Sequence, residues 1–134
     1  MVLALLALLA AAPPAPDLPP PMMTITARQL HDNCARYVAE AGAEAQSVEA
    51  VTCAVEMVTR EAVNMLEAAA EQGKSGTGTR RYCPPDGVLR RQDASFMLAR
   101  VYLAYFARNP AVREEADGTA VLQRALADKW PCRR

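Results

Sequence analysis

The residues of this 134-residue chain best equipped for chemistry are four cysteines, Cys34, Cys53, Cys83 and Cys132, and the single histidine, His31. Thiols and an imidazole can ligate a soft metal, make a nucleophilic thiolate–imidazole pair, or, for the thiols alone, cross-link the fold. No two of these cysteines form a Cys-x-x-Cys pair. Structural zinc sites take ligands in close pairs from tight turns, so zinc is the poorer reading. His31 lies three residues before Cys34. Once the thiols are oxidised it has no nucleophile to activate, and it is read as a packing residue. Four cysteines in a small exported chain are best read as two disulfides, and sequence arithmetic leaves three connectivities open.

Export is expected from the N-terminus. Met1 to Ala12 is an almost unbroken apolar run, followed by a proline cluster that reaches Pro21. A bilayer span needs about 20 helical residues, whereas a run of this length suits the core of a secretory signal, although no basic residue precedes it. No cysteine follows it closely enough to carry a lipid. Residues 1–23 are therefore read as signal peptide and proline-rich leader, and 24–134 as one domain. The expected location is the periplasm, with no membrane insertion after signal cleavage. A domain of about 110 residues buries a smaller share of its surface than a larger one does, so covalent staples would help it.

Charge narrows the partners. Fifteen Lys+Arg against fifteen Asp+Glu give a formal charge of zero, so there is no basic field to hold nucleic acid or an anionic membrane. Gly73-Lys74-Ser75 copies the end of a Walker A loop. The position of that loop's leading glycine is Ala68, inside a helical pattern with no strand before it, so a phosphate cradle is not expected. The local exception to neutrality is a cluster of arginines, of which Arg80, Arg81, Arg90 and Arg91 are the candidate partner-binding residues. Glu56, Glu61 and Glu67 alternate with Arg60 along a helical pattern and are expected on its solvated face. No catalytic set, metal-ligand set or cofactor motif emerges. The chain reads as a binding protein, not an enzyme.

The positioning elements are all helical. Leu30, Cys34, Tyr37, Val38 and Ala41 make one stripe after Thr24 or Thr26 as N-cap. From Ser47, the set Val48, Val51, Val55, Val58, Ala62, Met65, Leu66 and Ala69 keeps the helical period until Gly73, and is expected to be the buried face of a long central helix. Cys83-Pro84-Pro85-Asp86-Gly87 is an extended entry and a turn that delays the next helix. Leu89, Gln92, Phe96, Ala99, Leu103 and Phe106 form a third stripe. Asn109-Pro110 marks a boundary with Asn109 as a plausible N-cap, and Val112, Ala116, Thr119, Gln123, Leu126 and Trp130 form a weaker fourth stripe, interrupted near Asp117-Gly118. Nothing alternates with period two. The expected class is all-α, a small four-helix domain stapled by two disulfides.

The stretch Tyr82-Cys83-Pro84-Pro85-Asp86-Gly87-Val88 with Gln92, then Tyr102-Leu103, Asn109-Pro110, Ala125-Leu126 and Trp130-Pro131-Cys132, resembles the Rap/Tai-type immunity proteins of bacterial type VI secretion systems. Leu30 four residues before Cys34, and Cys53 at the head of a helix, extend the likeness over about residues 26–132. Leu89 stands where the family has threonine, and Trp130 where it has phenylalanine. The resemblance, with the local unit that each bond would close, favours pairing Cys34 with Cys53 and Cys83 with Cys132. It implies a periplasmic protein that neutralises an effector, typically a peptidoglycan amidase, by occluding its active site without chemistry of its own. It also implies a homodimer, for which Phe96, Tyr102 and Phe106 are the candidate surface aromatics. The alternative is a small disulfide-stabilised envelope protein with a stress or chaperone role of the HdeA kind.

Overall fold

The structure is a computed structural model that describes residues 24–75, 80–85, 87–88 and 93–133. The leader, Arg90 and Arg91, and the Leu89 and Gln92 positions of the third stripe lie outside the described residues. Helix α1 spans Ala27–Ala39, α2 Val48–Ser75, α3 Ala94–Arg108 and α4 Gly118–Lys129, with a 3₁₀ turn at Pro110–Glu114 between the last two. No strand occurs among the described residues.

Three of the four α-helices begin where a side chain serves a first free amide; α3 has no such side-chain cap at Asp93. Thr26 accepts from the Gln29 amide while Gln29 returns a bond to the Thr26 amide, a reciprocal cap for α1. Ser47 Oγ accepts from Ala50 N at 3.2 Å to open α2, and Asp117 accepts from Ala120 N at 3.0 Å to open α4. Asn109 behaves otherwise than expected. It makes no side-chain cap for the turn that follows, and instead donates from Nδ2 to Tyr105 O at 2.9 Å, closing the end of α3. Pro110 takes the first position of the 3₁₀ turn, where its missing amide costs nothing. The interrupted fourth stripe is thus two elements, broken at the Asp117 cap.

The core gathers Leu30 and Cys34 from α1, Cys53 and Met57 from α2, Leu98, Ala99, Tyr102 and Phe106 from α3, Val112 from the turn, and Val121, Leu122, Ala125 and Leu126 from α4. Tyr102 and Phe106 are therefore interior. Tyr102 donates its hydroxyl to Ala27 O at 2.8 Å; burial, and then the charge of Glu115, push that phenol far above its ordinary range. Two of the three aromatics suggested for a dimer surface are spent inside the domain.

Two disulfides close this core: Cys34–Cys53 and Cys83–Cys132. The first ties α1 to α2. The second ties the extended 80–85 segment to the chain leaving α4, alongside Cys83 N donating to Trp130 O at 2.8 Å. In the chain-entropy model these loops contribute about 3 and about 4 kcal/mol respectively. Gly87 turns the chain after the proline pair with φ +100°, a conformation that any side chain would strain.

The entry into α1 is pinned to the start of α4 by backbone alone. Gly118 N donates to Ile25 O at 2.8 Å and Ala27 N to Glu115 O at 3.1 Å. A Cβ on Gly118 would lie 2.7 Å from Thr26 O and 2.9 Å from Ile25 O, both main-chain atoms that have no room to yield. Gly118→Ala should destabilise the domain by about 1–3 kcal/mol in chemical denaturation; an unchanged midpoint would show that the two segments are not in this contact.

The α1–α2 turn has a charged latch. Glu40 Oε2 accepts from Ser47 N at 2.9 Å and Ser47 Oγ at 3.0 Å, and the backbone bond is the main reason its carboxyl sits below the usual range. Because the folded value lies below the unfolded one, the latch is complete above the unfolded value and is lost as pH falls through the folded one. The thermal midpoint of Glu40→Gln should trail that of the unmodified protein at about pH 7, and the gap should close as pH falls through the folded value of the carboxyl. A gap that survives acidification would remove the carboxylate from this role.

Candidate binding surface

Helix α2 carries two different faces, and the one expected to be buried is outside. Ala50, Cys53, Met57, Arg60 and Asn64 point into the domain, whereas Val48, Val51, Val55, Val58, Met65 and Leu66 are 47–80% exposed. Ala62 and Ala69 continue the outer stripe. The physical reason is Cys53. It stands two residues, about 200° of helix, from both Val51 and Val55, and its bond to buried Cys34 turns the opposite face inward. Hydrophobic period located an apolar face correctly and assigned it to the wrong side. Along the stripe lie two shallow apolar hollows. One, near 310 Å³, is formed by Val48, Val51 and Val55; the other, near 280 Å³, lies between α2 and α3 beside Val58, Ala62, Met65 and Leu98.

The inward face is partly polar, which corrects the expectation of a solvated Glu/Arg side. Arg60 is 9% exposed, with Nη2 3.7 Å from Glu67 Oε2. Its Nε and Nη2, and Glu61 Oε1, find no hydrogen-bond partner among the described residues. Glu61 Oε2 accepts from the Tyr82 hydroxyl at 2.6 Å. Burial, and then this carboxylate, push that phenol far above its ordinary range, so Tyr82 is a fixed donor.

Beside this cluster lies the extended segment 80–85. Tyr82 and Pro84 are buried and alternate with exposed Arg81, Cys83 and Pro85. Asn64, fully buried, clamps it: Oδ1 accepts from Arg81 N at 2.9 Å, and Nδ2 donates to Tyr82 O at 3.3 Å. Sequence reading missed Asn64, since a lone asparagine in a helix carries no signature of a partner 17 or 18 residues away. Of the candidate arginines, Arg80 is half-buried and Arg81 is exposed. Arg81 Nε lies 2.7 Å from Glu67 Oε2, so part of the expected positive flank is neutralised. Such a pair is half solvated and contributes little stability.

On another face, His31 stacks on Phe106 with ring centroids 4.2 Å apart, and the Arg113 guanidinium lies 5.6 Å from the same ring centre. His31 Nδ1 is 3.0 Å from Asp32 Oδ1, and Arg28 pairs with Glu114 at 2.7 Å. The histidine caps the edge of the core. Among the described residues no three His, Cys, Asp or Glu side chains are grouped to hold a metal ion, and no helix is long and apolar enough to cross a membrane.

The Asn64 clamp can be tested alone. Asn64→Leu keeps the forked outline of the side chain, with some added bulk, but leaves Arg81 N and Tyr82 O without partners, and should cost about 2 kcal/mol or more in denaturation while speeding hydrogen exchange at the Arg81 amide. Unchanged exchange there would mean that the segment is held by its disulfide only. Comparison of the chain with protein-family models, with curated proteins and with solved structures found no match.

Proposed function

We propose that the chain is an exported immunity-type binding protein that neutralises a type VI secretion effector, of the peptidoglycan-amidase class, by occluding its active site. The reading begins from the Rap/Tai resemblance over about residues 26–132. The observation that supports it best is the 80–85 segment: an extended strip with one exposed edge, clamped by Asn64 and stapled by Cys83–Cys132, that carries Arg81 and leads into the Gly87 turn. Occlusion needs a surface segment whose shape is set before contact, and function sits readily on such segments when a rigid frame holds them. Arg80, Arg81, Arg90 and Arg91 supply charge for steering an acidic partner surface. The two disulfides are compatible with an oxidising compartment such as the periplasm. The reading includes a homodimer and requires no cofactor, metal or catalytic residue.

A second reading, a stress chaperone of the HdeA kind, draws on the apolar stripe of α2, because an exposed stripe can hold unfolded chains. The two differ in what they bind. An immunity protein saturates one effector at fixed stoichiometry, whereas a chaperone suppresses aggregation of unrelated proteins in acid.

Cells that receive a periplasmic amidase effector should survive when they make the full chain, and lyse when residues 1–21 are deleted. Reversing Arg81, Arg90 and Arg91 to glutamate should weaken effector binding about tenfold or more, chiefly through slower association. Equal protection by the leaderless chain, or unchanged affinity after reversal, would sink the export or the arginine surface respectively.

A further inference from the structure

We infer that the outer stripe of α2 is a two-fold seam on which a second copy of this chain lies antiparallel. The inference deepens the homodimer of the preceding reading by giving it a surface, and rests on that reading only in expecting a dimer at all.

Val48, Val51, Val55, Val58, Ala62, Met65 and Ala69 follow one another by three and four residues without a break. This is the heptad spacing by which one helix buries itself along another. A helix that faced only water would not need it, and the domain's own core is served by Cys53, Met57 and their neighbours. The flanks of the seam are Thr52, Thr59 and Leu66 on one side and Ala54, Glu61 and Ala68 on the other. A single charge in six positions leaves little to repel an identical helix. From Val48 to Met65 the seam runs about 26 Å.

Orientation follows from bulk. The first half of the seam is all valine, and the second half is mostly alanine. Parallel copies would set valine against valine at one end and alanine against alanine at the other, forcing the axes apart. Antiparallel copies set Val48 against Met65, Val51 against Ala62 and Val55 against Val58, so each of these layers contains a valine and none pairs alanine with alanine. This register places Glu61 opposite Ala54 and not opposite its own copy. It also brings Met65 to the partner's hollow at Val48, Val51 and Val55, and the partner's Val48 and Val51 to the hollow beside Ala62 and Met65. Each hollow receives what the other end of the seam presents.

Sedimentation of the purified, oxidised protein between about 1 and 200 µM should give twice the chain mass at the upper end. Val55→Glu with Val58→Glu changes only exposed positions. It should keep the helical spectrum and both disulfides while weakening self-association at least 100-fold. A wild-type protein of single-chain mass throughout would overturn the seam and leave the stripe to another partner, as would a glutamate variant that stays dimeric. Val51→Lys alone should also weaken the dimer, and adding Ala62→Glu should restore it, because each lysine then faces the partner's glutamate. In a parallel pair like would face like, so a double variant that remains monomeric would overturn the antiparallel arrangement. These masses are read without any effector, so failure of the immunity reading would leave them unchanged.

Discussion

The Cys34–Cys53 bond decides which way α2 faces, and most of the molecule follows from that choice. An α2 placed by hydrophobicity alone would turn its valines inward, since that face is the more apolar. The bond holds Cys53 against buried Cys34 and sets Met57, Arg60 and Asn64 below it on the same side. The helix therefore brings two polar side chains to the interior edge and leaves six large apolar ones in solvent. Oxidation here selects among packings as well as limiting the unfolded chain.

What the inward polar face does becomes clear at the other staple. Segment 80–85 has no helix or sheet ladder to satisfy its main chain, so its amides and carbonyls need partners elsewhere. Asn64 serves Arg81 N and Tyr82 O, and Trp130 O serves Cys83 N. Glu61 receives the Tyr82 hydroxyl, and Cys83–Cys132 closes the far end. The segment is thereby tied at Arg81, Tyr82 and Cys83, while keeping Arg81 at the surface.

Much of this was legible in the chain itself, for identifiable reasons. Turn and cap residues act locally, so Thr26, Ser47, Gly87 and the Asp117-Gly118 break mark real boundaries. The cysteine pairs came from resemblance and local closure, and the all-helical class from the lack of period two. The face of α2 was misread because periodicity reports that a face is apolar, not what covers it. Cys53, on the opposite side from the valines, was the available signal. Arg60 and Asn64 were beyond local reading, because their environment is made by residues far along the chain. Of the four candidate arginines, Arg80 and Arg81 lie beside the clamp, and Arg81 is already engaged by Glu67.

The pinning of Ile25 and Ala27 against Gly118 and Glu115 has a mechanical consequence. Tension drawn on the chain ahead of Thr24 does not reach the first turn of α1 directly. It meets the Gly118 N–H to Ile25 O bond first and the Ala27 N–H to Glu115 O bond next, and both pass it to the head of α4. Whatever precedes Thr24 therefore pulls on a two-bond strain relief, and the body of α1 and the core beneath it stay unloaded until that clasp opens.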